Sequence, residues 1–215
     1  MSKAPKMRFN RRENQIGRHT KRWGRHDGVH ALPLSLPYGT GPLERGPRIL
    51  LQAVIEPGDR TREGQLVRAV AIPWFSIVRR FRESPDLIYE LDWRKWEEMI
   101  AGAYKAQGFD VILTPRSNDK GRDVIASSQG LGSIRFVEQV RAYGPNHLVT
   151  ADDVRAMVGV LSLEGNVSKG IVTTTSEFAP GVAQDENIKR LMPYRLELKP
   201  RDALLKWLID ISEKR

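Results

Sequence analysis

The stretch 117-SNDKGRDVIASSQGLGSIRFVEQVRAY-143 places Asp123 before a short apolar run, then a turn rich in glycine and serine, then a longer strand-like segment whose tail alternates Gln139 and Arg141. Successive side chains of a strand point to opposite faces. Gln139 and Arg141 therefore share one face, and Glu138 and Val140 share the other with Phe136 and Ile134. If the strand that opens at Asp123 pairs with this one, its carboxylate lies near the tips of Gln139 and Arg141. A carboxylate at a strand start beside a loop is placed to hold a divalent cation that keeps several waters. An internal salt-bridge and hydrogen-bond network among the same three residues is the structural alternative.

Outward from this stretch the pattern is regular. The spacing predicts strands over Asp123–Ala126 and Ser133–Ala142, preceded by a strand over Phe109–Leu113, with "TPRSNDKGR" as the intervening loop. Upstream, Asp92 is placed to cap a helix carrying Trp93, Trp96, Ile100, Ala103 and Tyr104 at helical spacing, with Gly108 as the stop. At about 100° per residue, Glu97 falls at the margin of that apolar stripe and Glu98 points away from it. A carboxylate directed at the sheet is costly unless a cation stabilises it, so Glu97 joins the candidates. Downstream, Thr150 is read as the N-cap of a helix burying Val154, Met157, Val158 and Leu161. A buried strand follows over Gly170–Thr174, with Ser176 as a helix cap. A strand around Tyr194–Leu198 and a terminal helix bearing Leu204, Leu205, Leu208 and Ile211 complete the series. The order of elements is helix, three strands, helix, strand, then mixed elements, which is an α/β arrangement.

The first part of the chain reads differently. Residues 1–48 hold 11 Lys and Arg against Glu13, Asp27 and Glu44, so this arm carries +8 of the formal net charge of +9. Arg11, Arg12, Arg18, Lys21, Arg22 and Arg25, with Phe9, Trp23 and Tyr38 interleaved, suit phosphate neutralisation with some base or groove contact. A solubilising tail would have the same charge. His19, His26 and His30 lie in the arm without a carboxylate spacing that completes a coordination shell. "ALPLSLPYGTGPLERGP" is read as an extended linker. Beyond it, residues 49–83 are read as a small β/α connecting unit. Strands are predicted over Ile49–Ile55 and Gln65–Ile72 around the turn-rich "EPGDRTREG", and a helix opened by Pro73 carries Trp74, Ile77, Val78 and Phe81 on one face. Residues 84–215 then form the main domain.

Composition narrows the chemistry. The absence of cysteine excludes disulfides, thiol catalysis and thiolate-held zinc or iron–sulfur centres, so any metal is held by oxygen or imidazole. No apolar run approaches the roughly 20 residues that a bilayer span requires, and no apolar h-region follows the basic N-terminus. The expected compartment is the cytoplasm, without membrane contact.

The ordered set "DWRKWEEMIAGAYKAQGFDVILTP", "GRDVIA", "EQVRAY", "VRAMVGVL" and "GIVTTTSEFAPGV" resembles the Mrr-type restriction endonuclease domain of the PD-(D/E)xK nuclease superfamily, from residue 90 to about 211. The resemblance implies a restriction-endonuclease-like core, a mixed central β-sheet flanked by helices, here with a basic N-terminal extension. It implies a Mg2+-dependent (or Mn2+-dependent) deoxyribonuclease acting on double-stranded DNA in restriction and defence or in DNA repair. Carried over by motif, the catalytic residues are Glu97, Asp123, Gln139 and Arg141. Asp123 and Gln139 (or a neighbouring backbone carbonyl) would hold the metal, and Glu97 a water on it. Arg141 stands where the family carries lysine. Arginine keeps the charge but is a wider planar fork that does not give up its proton, so a nuclease-fold DNA-binding protein with weakened or lost cleavage is the alternative. Lys120 and Asp119 are loop residues near the same place. A homodimer would bring two sites to the two strands of a duplex.

Overall fold

In the computed structural model the described residues are 52–115, 121–130 and 132–214, so the basic arm, with Arg11, Arg12, Arg18, Lys21, Arg22 and Arg25, and the loop residues Asp119 and Lys120 lie outside them. Among the described residues seven strands form one mixed sheet in chain order: β1 (Ile55–Arg60), β2 (Gln65–Val70), β3 (Asp110–Leu113), β4 (Val124–Ser128), β5 (Ile134–Arg141), β6 (Lys169–Thr174) and β7 (Leu196–Lys199). Pairing is antiparallel from β1 to β5 and parallel from β5 to β7. The mixed sheet flanked by helices is the expected fold class.

Helices α1 (Ile72–Glu83), α2 (Trp93–Ala106) and α5 (Arg201–Glu213) cover one face of the sheet. Their buried side chains, among them Trp74, Phe81, Trp96, Ile100 and Leu208, pack with Val111, Val124, Ala126 and Val140 of the strands. Helix α3 (Ala151–Leu163) and the single-turn α4 (Glu186–Lys189) cover the other face, where Val154, Met157 and Ile188 pack on Val137, Val172 and Leu196. The two tryptophans of the first layer bury their rings and still satisfy their N–H groups: Trp74 donates to the Met99 carbonyl at 2.7 Å and Trp96 to that of Ile88 at 3.0 Å.

Several boundaries depart from the sequence reading. Residues 55–83, set apart above within a connecting unit, share sheet and core with the rest: β2 pairs with β3, and Trp74, Ile77, Val78 and Phe81 lie in the same buried cluster as Trp96. The first strand among the described residues runs Ile55–Arg60, and residues 52–54 of the predicted Ile49–Ile55 strand are not strand while 49–51 lie outside the described residues, so "EPGDR" is strand and not turn. Pro57 and Gly58 are tolerated because β1 is an edge strand, and its register with β2 shifts at Pro57. Trp93 is 49% exposed, Val160 replaces Val158 among the fully buried residues of α3, and Tyr194 stands in a turn before β7. Ser176 caps no helix; it lies buried in a bend after β6.

Gly102 lets α1 and α2 approach. A Cβ there would lie 2.7 Å from Cδ1 and 2.8 Å from Nε1 of Trp74, whose indole is pinned by its hydrogen bond to Met99. Gly102→Ala is therefore expected to destabilise the protein by about 1–3 kcal/mol, overpacking outweighing the helix-propensity gain of alanine. Thermal unfolding monitored by circular dichroism checks this, and a melting temperature at or above that of the parent counts against it.

Candidate active site

The sequence brings β4 and β5 together as a hairpin: the β4–β5 register runs from Ser128 opposite Ile134 to Val124 opposite Glu138. Asp123 sits one residue before β4 and bonds β5 on both sides of Gln139. Its N–H donates to the Glu138 carbonyl at 2.9 Å. Its carboxylate, through Oδ2, accepts from the Val140 N–H at 2.6 Å. The main-chain ladder thus gives way here to a side chain, and the carboxylate of Asp123 is fixed by its own backbone and by its neighbour's. Both Asp123 and Gln139 are buried.

Gly121 permits the turn into this arrangement. Its φ of +75° is in the left-handed region that side chains rarely adopt, and a Cβ there would stand 3.8 Å from Nε2 of Gln139. The amide oxygen Oε1 of Gln139 is buried with no hydrogen-bond partner among the described residues. An unsatisfied buried acceptor is costly, and a hard oxygen of this kind is a ligand for Mg2+ or Mn2+. Beside the Asp123 carboxylate, the donor set fits such a cation. Among the described residues no three His, Asp or Glu side chains converge.

Arg141 is placed differently from the expected trio. It follows Gln139 on the same face, but its ion pair is with Asp153 of α3, Nε to Oδ1 at 3.7 Å. Asp153, the third residue of α3, closes a capping box with Thr150, and Tyr143 Oη donates to its Oδ1 at 3.3 Å. Burial pushes the Asp153 carboxyl up, but the Thr150 amide and hydroxyl, Arg141 and Tyr143 together hold it below the ordinary value. The Tyr143 hydroxyl is raised by burial and by Asp153, against Arg141. The guanidinium thus faces an ionised partner at the start of α3, in an ion pair without a hydrogen bond from Nε among the described residues. Asp153 is recognisable in sequence as a capping residue, but its second task depends on how α3 packs beside β5.

Glu97 is buried in α2, as its helical position predicts, and forms an ion pair with Arg94, Nη1 to Oε2 at 2.6 Å. Glu98, half-buried, pairs with the half-buried Lys95 at 2.7 Å. The same Nη1 of Arg94 donates to the Thr114 carbonyl at 3.0 Å, and Thr114 N–H donates to the Asp123 carbonyl at 3.0 Å. Glu97 and the backbone of Asp123 are therefore connected through two residues, Arg94 and Thr114, although they belong to different layers. Glu138, on the opposite face of β5, accepts hydrogen bonds from Tyr104 and Thr173. Burial, and then Glu138, raise the Tyr104 hydroxyl well above its ordinary value. This pair belongs to the core.

Comparison with known proteins follows the same region. The profile of a family described as restriction endonuclease, the Mrr catalytic domain, matches residues 88–208. An uncharacterised protein of Sinorhizobium fredii, y4cE, is 38% identical over 58 residues, which are 27% of this chain and 15% of that protein. Among solved structures, the DNA modification-dependent restriction endonuclease AspBHI aligns over 74% of this chain and 39% of its own, at 16% identity and a TM-score of 0.42. The MspJI restriction endonuclease, solved in complex with a 27-mer oligonucleotide, aligns over 62% of this chain and 30% of its own, at 18% identity and a TM-score of 0.39. The chain thus spans well under half the length of each of these three proteins. No helix among the described residues is long and apolar enough to cross a membrane.

Proposed function

The chain belongs to the Mrr-type restriction endonuclease family, and from that premise we propose that it hydrolyses phosphodiester bonds of double-stranded DNA with Mg2+ or Mn2+, in defence against foreign DNA or in DNA repair. The observation that carries the reading is the buried Oε1 of Gln139, without a hydrogen-bond partner among the described residues, on the strand whose next amide fixes the Asp123 carboxylate. Asp123 and Gln139 would hold the cation, which supplies charge neutralisation at the phosphate and acidifies a water. Glu97 would orient that water from the helix side. Arg141 would stabilise the phosphate charge with its permanently charged fork. The basic arm would add affinity that carries no sequence information. A pair of chains would serve the two strands of a duplex.

Incubation of the purified chain with plasmid DNA, with and without Mg2+ or Mn2+, tests this. Cleavage that a chelator abolishes supports the enzyme, and binding without cleavage under every divalent metal sinks it.

The ion pair of Arg141 with Asp153 favours a second reading, a DNA-binding protein on the nuclease fold with weakened or lost hydrolysis. The two readings separate at this residue. Arg141→Lys is expected to hold or raise the cleavage rate, since it supplies the compact ammonium of the family pattern, and Arg141→Ala to lower it about tenfold or more. A wild type inert with every metal but activated by Arg141→Lys would favour the binding protein.

A further inference from the structure

Arg94 is absent from the residues that the sequence singles out, yet its side chain joins Glu97 to Thr114, the residue after β3 whose N–H bonds Asp123. Its Nη1 lies 2.6 Å from Glu97 Oε2 and 3.0 Å from the Thr114 carbonyl. The Arg94 side chain is 17% exposed and that of Glu97 5%. Ion pairs three residues apart on a solvated helix are worth a few tenths of a kcal/mol. This one is largely buried and is tied to a third group outside the helix. Thr114, the residue after β3, is in turn fixed on the chain leading into β4: its hydroxyl donates to the Arg122 carbonyl at 2.5 Å and the Asp123 carbonyl at 3.1 Å.

A buried ion pair adds little stability over apolar residues of similar volume. Stability therefore does not account for a guanidinium that spans helix and strand. Orientation does, because one nitrogen fixes the carboxylate of Glu97 relative to the backbone carbonyl of Thr114, a residue whose N–H and hydroxyl are hydrogen-bonded to the chain entering the site. We propose that Arg94 is a positioning residue of the nucleolytic site: it acts through Glu97, holding the helix carboxylate in register with Asp123 and so setting the affinity for the divalent cation. The proposal rests on the functional reading given above.

The test uses the full chain with Mn2+ alone as the probe, its binding followed by electron paramagnetic resonance, beside cleavage rate against Mn2+ concentration and gel shift in chelator. Outer-shell partners of metal sites typically carry 10–100-fold in affinity or activity. Arg94→Ala is expected to weaken Mn2+ binding and raise the half-saturating Mn2+ for cleavage by about tenfold, with DNA affinity in chelator unchanged. Arg94→Lys should recover part of the loss. The double variant Arg94→Ala/Glu97→Ala should match Glu97→Ala, because a residue that acts only through another adds nothing once that other is gone. It also removes both charges of the pair, so it reports even where Arg94→Ala, which strands a buried carboxylate, does not fold.

A double variant that binds Mn2+ about tenfold more weakly than Glu97→Ala would overturn the role, as would Arg94→Ala with wild-type Mn2+ affinity in a wild type that cuts DNA. A wild type that neither binds Mn2+ nor cuts DNA would bring down the functional reading and this proposal together.

Discussion

Asp123→Ala is expected to lower the rate of DNA cleavage by roughly three orders of magnitude, the equivalent of about 4 kcal/mol of transition-state stabilisation, while DNA affinity stays nearly unchanged. The substitution removes a carboxylate that would ligate the cation and leaves the phosphate-binding surface intact. It also removes the acceptor of the Val140 N–H, which in a buried setting costs about 1–3 kcal/mol of stability. Cleavage rate and melting temperature must therefore be read together. A loss of rate at temperatures where the variant is fully folded identifies chemistry. A variant that melts earlier but cleaves at the wild-type rate would refute the site.

Removal of residues 1–48 is the second large effect expected. The arm carries +8 of the +9 net charge. If its six central cations, Arg11, Arg12, Arg18, Lys21, Arg22 and Arg25, each neutralise a phosphate, truncation reduces the slope of log affinity against log salt by about 5. Fluorescence anisotropy titrations of one duplex across a salt series would measure it. The domain that remains should keep its fold, since residues 52–214 supply the sheet and both buried clusters described above. An unchanged slope would remove the arm from DNA binding.

The elements most legible in sequence were those whose local signal agrees with their packing. The apolar face Trp74, Ile77, Val78, Phe81 follows helical spacing and is buried residue for residue. Asp92 and Thr150 both cap the helices assigned to them, through Lys95 N–H and Asp153 N–H. The β4–β5 hairpin was placed to within one or two residues at each end. The strand over Ile55–Arg60 was not legible, because Pro57 and Gly58 signal a turn unless the strand is known to lie at an edge, and that is a property of the assembled sheet. Trp93 was misread because the first turn of an amphipathic helix can extend beyond the core that covers the rest.

At the candidate site, alternation along β5 sufficed to group Gln139 with Arg141, and helical phase sufficed to turn Glu97 inward. What sequence did not reveal is who holds the charged groups. Arg94 and Asp153 are ordinary surface-type residues in their own helices, and they acquire their partners only when α2 reaches the end of β3 and α3 lies beside β5.

The bond from Val140 N–H to the Asp123 carboxylate has a consequence for observation as well as for architecture. Strand β5 has neighbours on both sides, so most of its amides owe their protection against deuterium to main-chain partners and report only on opening of the sheet. The Val140 amide owes its own to a side chain. Its exchange rate and nitrogen shift are thus an isotopic readout of what that carboxylate is engaged with, obtainable by NMR from the unmodified chain without substrate.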